Sequence, residues 1–418
     1  MLKRLTIQEK SWVMYDWANS AYSAIITASI LPIFFKSMAR DAGLSPYTAD
    51  AYWGYATSLA TLLVALCAPV LGALGDYRNM KMRLFKIFFV IAVISTAALA
   101  AAQQWFHILV LYAVTITGFA GANLFYDAFL VDVTTEDRMD MISTYGFALG
   151  YIGGSTIPFI ISIALIMFGP QIGIPAAAAT RFSFFLTALW WTVFSIPMLK
   201  NVKQVYFIEP ALNMVLGSFG RLLQTFRNIR RYRHVFLFLA AYFFYIDGVN
   251  TIINMAAVYG DSVGLSSATL LLALLVTQVV AFPFAIIYGA LARVFGAKKM
   301  ILAGTLVYLL VCVLGYRMKT AFDFWVLALL VATSQGGMQA LSRSFFGRMV
   351  PKENSNEFFG FYDIIGKFAA VMGPALYGLF SQLMGHSRYG VLSVMVLFLL
   401  GGGIFLFVPL QQPSGTDL

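Results

Sequence analysis

Gly72-Ala-Leu-Gly-Asp76-Tyr-Arg78-Asn-Met-Lys81-Met-Arg83 is a polar island between apolar runs at about 51–75 and 84–102. It recurs as Gly289-Ala-Leu-Ala-Arg293-Val-Phe-Gly296-Ala-Lys298-Lys299, 217 residues further along. The same offset carries Glu136 onto Glu353 and Asp140 onto Glu357. Asp16-Trp-Ala-Asn19 has its counterpart in Asp247-Gly-Val-Asn250 at an offset of 231, and the 14-residue difference fits an insertion near Arg40 to Asp50. Three matches in register read as a duplication of one half-chain.

The runs on either side of these islands explain the composition. They fall at about 12–36, 51–75, 84–102, 106–131, 142–168 and 180–199, then at 235–259, 267–292, 299–316, 322–347, 358–383 and 389–410. The chain has 418 residues, 60% hydrophobic and only 11% charged, where a soluble domain carries about 25% charge. Such a balance excludes a soluble enzyme, a disordered chain and a nucleic-acid-binding module. The predicted fold is all-α and integral to the membrane, with twelve transmembrane helices in two pseudo-symmetric six-helix bundles. The bundles occupy 1–199 and 235–418, joined by a basic linker at 200–234.

The formal charge of +10 reads as topology. With the N-terminus inside, loops and termini place 21 Lys and Arg on the inner side against six on the outer, and Lys367 lies within a run. Positive charge collects on cytoplasmic loops, so both termini are expected in the cytoplasm and the chain in a bacterial cytoplasmic (inner) membrane. The linker segment Leu216 to Tyr232 reads as an amphipathic helix on the membrane surface. The first run carries Asp16 and Asn19 and has no small-residue cleavage site, so it reads as a retained span. Cys67 and Cys312 sit in apolar runs as small packing residues, and His107, His234 and His386 are scattered. Neither metal nor cofactor is expected. HExxH, GxSxG and Walker patterns are missing, so the expectation is a chain that is not an enzyme.

The island and its repeat resemble the G-x-L-x-D-R-x-G-R-R loop of the major facilitator superfamily. The first copy has Asn79 in place of the second glycine, and the second has Arg293 in place of the aspartate. Tyr15-Asp16-Trp17-Ala18-Asn19-Ser20-Ala21-Tyr22, Tyr245-Ile-Asp247-Gly248-Val249-Asn250-Thr251, Phe125-Tyr126-Asp127-Ala128 and Gly150-Tyr-Ile-Gly153-Gly154 are similar to the vacuole-effluxer, or autophagy-related permease, family and its bacterial relatives. The resemblance implies a secondary transporter working by alternating access, with amino-acid efflux as the fungal precedent.

Ionisable groups at mid-membrane are costly and face a partner or a wet cavity. Asp16, Asp127, Asp247, Asp363 and Lys367 are therefore candidates for substrate binding or proton coupling. Asn19 and Asn250 lie three residues after an aspartate, on the same helix face. A carboxylate beside an amide suits a zwitterion; the same pairs could instead brace helices where the halves meet. Asp363 and Lys367, four apart, either neutralise one another or bind substrate. Tyr126, Tyr242, Tyr245 and Tyr362 are candidate path-lining residues. The duplication puts Asp16 at the depth of Asp247, although its place in the run is nearer the cytoplasm.

The inner loops suggest a gate of Asp76, Arg78, Asp132, Asp140, Arg293 and Arg348. Arg293 is expected to face the acidic loop of Asp132, Glu136, Asp137 and Asp140, and Asp76 to meet the Arg348/Lys352 loop or the start of the eleventh helix. The glycines at 146, 150, 153 and 154 permit close helix packing. The expected function is transport of a small polar solute, such as an amino acid, coupled to protons, by a monomer in the lipid bilayer. Efflux of a larger amphipathic compound (drug, lipid or siderophore) and a non-transporting receptor or scaffold are the alternatives.

Overall fold

The computed structural model describes residues 5–210, 213–227 and 230–409; Lys3 and Arg4, counted above among the inner charges, lie outside the described residues. Within them, twelve helices are long and apolar enough to cross a membrane. Spans 1 to 6 are Ile7–Asp41, Ala51–Gly75, Met80–Ala101, Trp105–Val133, Met139–Ile172 and Ala176–Asn201. Spans 7 to 12 are Arg233–Ala256, Leu272–Phe295, Ala297–Arg317, Ala321–Met349, Lys352–Met384 and Ser387–Leu406. Lipid offers the backbone no hydrogen bonds, so each run satisfies its own as a helix. The starts carry local signals. Thr6 and Glu9 form a reciprocal cap on span 1, and Thr320 with Asp323 does the same for span 10.

The duplication is visible in the packing. Span 1 packs on 5 and 6, span 2 on 4, and span 3 on 4 and 6. Six helices later, span 7 packs on 11 and 12, span 8 on 10, and span 9 on 10 and 12. The halves meet along a seam where span 11 contacts 2 and 4, and span 5 contacts 8 and 10. The repeated glycines sit on that seam. A Cβ on Gly72 would stand 2.3 Å from the Asn356 carbonyl oxygen, and one on Gly289 would stand 2.2 Å from the Thr144 hydroxyl. The turn that follows each is also matched. Asn79 has φ 63° and Gly296 φ 85°, and Asn is among the few side chains that tolerate the left-handed region.

Two spans are interrupted by wide turns, Ser23–Thr27 in span 1 and Gly150–Thr156 in span 5. Span 5 nestles against the Ile7–Tyr22 segment of span 1 because it offers glycine. A Cβ would meet Asp16 Oδ2 at 2.2 Å from Gly146, the Ser20 hydroxyl at 2.6 Å from Gly150 and the Trp17 ring at 2.0 Å from Gly153. Outward faces are apolar and exposed, as at Leu62, Leu63, Leu66, Ile87, Ile91 and Ile94. A belt of this kind is stable against hydrocarbon rather than water.

Candidate functional site

The end of the molecule that carries the linker is closed by polar contacts across the seam, in layers of increasing depth. At the rim, Glu136 pairs with Lys352 at 3.0 Å and Asp140 with Arg348 at 2.8 Å, each first-half acid meeting a second-half base. Glu9, on span 1, holds Arg138 at 2.7 Å within the first half. Asp137, in the same loop, instead accepts from the Thr135 hydroxyl at 2.5 Å.

The next layer is built on Asp76, which ends the helix of span 2 and meets the start of span 11. Its Oδ1 accepts from the backbone N–H and side-chain amide of Asn356 at 2.9 and 3.0 Å. Its Oδ2 accepts from Arg221 at 2.6 Å and from the Glu357 N–H at 3.3 Å. An anion among the free N–H groups of a helix start is favourable. Arg221 also reaches Glu357 at 3.0 Å, so two acids share one guanidinium. Burial pushes the Asp76 carboxyl up to about 7, against the opposing pull of Arg221 and Lys81. Lys81 is fully buried beside this layer, 2.6 Å from Asp132 and 3.2 Å from the Ser355 hydroxyl. Asp132 also accepts the linker N–H groups of Val205 and Tyr206 at 2.8 and 3.0 Å.

The deepest layer centres on Arg343 of span 10. Its Nη1 lies 2.9 Å from Asp127 and its Nη2 lies 3.3 Å from Asp16, on spans 4 and 1 of the other half. Nε donates to the Ser143 hydroxyl at 2.9 Å and Nη2 to the Ser143 carbonyl at 3.1 Å. The guanidinium lies over the rings of Trp12 and Phe147, at 4.6 and 4.7 Å. Tyr126 stacks on Trp12 and lies 5.5 Å from the same cation. The Arg343 side chain is 4% exposed, Asp16 13% and Asp127 28%, so Asp127 is the open edge of the cluster.

Other candidates stay within one half. Asp247 is fully buried; its Oδ1 accepts the Gly373 N–H at 2.8 Å, and its Oδ2 has no partner among the described residues. It braces span 7 against span 11 just before Pro374. Asn19 donates to Asn123 at 2.7 Å rather than to Asp16. Asn250 is half-buried. Asp363 and Lys367 form an ion pair along span 11, with side chains 18% and 19% exposed. Tyr242 stacks on Tyr362 at 4.3 Å, and the Tyr245 hydroxyl hydrogen-bonds Ser342, the residue before Arg343. Among the described residues, no cluster of His, Cys, Asp or Glu could hold a metal ion.

Three expectations are corrected. Arg293 does not face the acidic loop: it is exposed and makes no ion pair among the described residues, because Asp132, Glu136 and Asp140 are already held by Lys81, Lys352 and Arg348. Arg78 does not cross the seam; it is exposed, pairs with Glu209 of the linker at 3.4 Å and covers Phe207. Asp16 and Asp247 are not at one depth. Asp16 lies nine residues past Ile7 and Asp247 14 residues past Arg233, about 14 and 21 Å along their helices. Arg343, Lys81 and Arg221 carry the two inner layers, yet in the sequence alone they stand only among the inner-side charges. The available signal was Ser342-Arg343-Ser344 inside the apolar run 322–347.

Twelve spans in two matched sets of six, closed at one end by charge pairs across the seam, define a transporter of the major facilitator type. The chain belongs to the family described as vacuole effluxer Atg22 like, matching it over residues 7–137 and 131–415. It is 52% identical to the MFS-type transporter YxiO of Bacillus subtilis (strain 168) over 422 residues, covering 100% of this chain and 98% of that one. It is 25% identical to autophagy-related protein 22-1 of Neosartorya fischeri over 269 residues, 57% of this chain and 43% of that protein. The match thus spans less than half the length of that fungal relative. Among solved structures, the fold is similar to the proton:xylose symporter XylE, with a TM-score of 0.74 at 13% identity, covering 96% of this chain and 95% of that one. A bacterial homologue of the iron transporter ferroportin, in an outward-facing state, gives 0.70 at 14% identity, covering 96% and 99%.

Proposed function

We propose that this protein moves a small zwitterionic solute, such as an amino acid, across a bacterial cytoplasmic membrane by alternating access, coupled to protons. In this reading the linker face and both termini are cytoplasmic, and a single copy carries out the cycle. The layered pairs then hold the state that opens to the outside.

One observation carries the reading. Asp127, Asp363 and Lys367 are charged, lie within spans from both halves and keep partly exposed side chains. Charge on a lipid face is costly, so such exposure marks a wet path. Lys367 suits a carboxylate and the two acids suit an ammonium, which together match a zwitterion. Asp127 shares its cation with Asp16, so a proton on either acid leaves the other paired. Protonation thereby loosens the seam without stranding a charge. Asp247, with one oxygen free of donors among the described residues, is a second place for a proton.

A second reading has its own support. A cavity inside the second half is lined by Ile252, Leu274, Val311, Phe324, Leu327 and Tyr377, an apolar surface fit for an amphipathic cargo. Proteoliposomes with an imposed pH gradient separate the two. Gradient-dependent flux of labelled amino acids, lost in Lys367→Gln, is the expected result. Flux of an amphipathic dye with none of any amino acid replaces the first reading by the second.

A further inference from the structure

The linker helix Met214–Arg227 has two faces with different surroundings. Ser218, Arg221, Leu222 and Thr225 recur at helical spacing and point to the seam. Ser218 and Leu222 are buried, and a Cβ on Gly217 would stand 2.7 Å from the Tyr77 hydroxyl. Arg221 joins Asp76 to Glu357 at 2.6 and 3.0 Å, and the Thr225 hydroxyl donates to Glu357 at 2.5 Å. Asp76 belongs to the first half and Glu357 to the second, and both side chains are fully buried. Removing Arg221 leaves two adjacent acids facing each other across the seam. Opening the seam in turn requires Arg221 to release at least one of them.

The opposite face is apolar and open. Val215, Leu216, Phe219 and Leu223 are exposed, from 55% to 71%. Beyond them Arg227, Arg230, Arg231 and Arg233 are all exposed. An apolar helix face flanked by arginines, tethered between two membrane spans, matches a helix lying among anionic headgroups.

We propose that the linker helix is a membrane-held latch, whose apolar face and arginines seat on anionic phospholipid and keep Arg221 between Asp76 and Glu357. The latch rests on the alternating-access reading and not on the cargo. Phospholipid composition then sets how long the linker face stays closed.

The test uses the full chain with Cys67 and Cys312 replaced by alanine and spin labels on Arg83→Cys and Lys299→Cys, one exposed site in each half. Distances are measured in nanodiscs of phosphatidylcholine alone and of equal parts phosphatidylcholine and phosphatidylglycerol. Phosphatidylglycerol is expected to raise the closed-to-open ratio, roughly fivefold for each arginine that meets headgroups only in the closed form. Leu216→Ser with Phe219→Ser, or Arg230→Gln with Arg231→Gln, removes the lipid response; Arg221→Gln favours the open distance in both membranes. Distances that shift in Arg343→Gln but are identical in the two lipids overturn the latch alone. A single distance that no lipid or variant changes overturns the latch and alternating access together.

Discussion

Arg343 and Asp127 stand 2.9 Å apart across the seam although 216 residues separate them. The same guanidinium turns its other branch to Asp16 at 3.3 Å. Two acids from one half thus depend on one cation from the other. While both acids are ionised, the halves cannot part at this level without leaving buried charge uncompensated.

Arg343→Gln removes that cation while both acids remain. Breaking a buried pair from one side costs about 3–5 kcal/mol, so thermal stability falls and transport drops to background. Arg343→Lys restores less than half of either, because one ammonium cannot span both acids and Ser143. Melting curves and uptake on the two variants decide this, and a lysine variant equal to wild type contradicts it.

Asp127 and Asp16 are expected to differ. Asp127 is the more exposed acid, and on the proposed proton-coupled cycle it is the one that exchanges a proton with the path. In Asp127→Asn, uptake loses its dependence on an imposed pH gradient while solute exchange at equal pH persists. Asp16→Asn weakens both. Parallel flux assays check the split, and an unaltered gradient response in Asp127→Asn contradicts it.

Gly153 of span 5 leaves no room for a Cβ beside the Trp17 ring of span 1. Gly153→Ala overpacks that contact at about 1–3 kcal/mol and lowers the melting temperature. Trp17→Ala in the same chain recovers part of the loss; an additive loss shows that the two residues do not compete for space.

Asp76 supplies a pH dependence with a definite sign. Burial on closing raises its carboxyl from the ordinary range near 3.8 to about 7. A raised acid takes up a proton as the seam closes, so its contribution to closure is fully present below about 4 and fades as pH rises through about 7. Spin-label distances across this window show the fade in wild type and a flatter profile in Asp76→Asn. Stronger closure at high pH contradicts it.

The spans and their pairing were legible because apolar runs and the 217-residue offset are properties of the chain alone. Asp16, Asp76 and Asp127 were legible for a related reason: acids are rare in or beside such runs. Arg343 was not, because a cation six residues before Met349 looks like a topology charge until its partners on spans 1 and 4 are known. Lys81 and Arg221 were hidden in the same way, in segments already rich in Lys and Arg. Arg293 misled in the opposite direction. Its charge reversal in the repeated loop suggested a complementary acid, but the duplication is broken there and the first-half acids have other partners.

The distance between spin labels at positions 83 and 299, in wild type and in Arg343→Gln, tests most directly whether this seam is the moving part. Wild type should populate mainly the short, closed distance, and Arg343→Gln should shift most of the population to a longer one. The same short distance in both would mean that Arg343 does not hold the linker face closed.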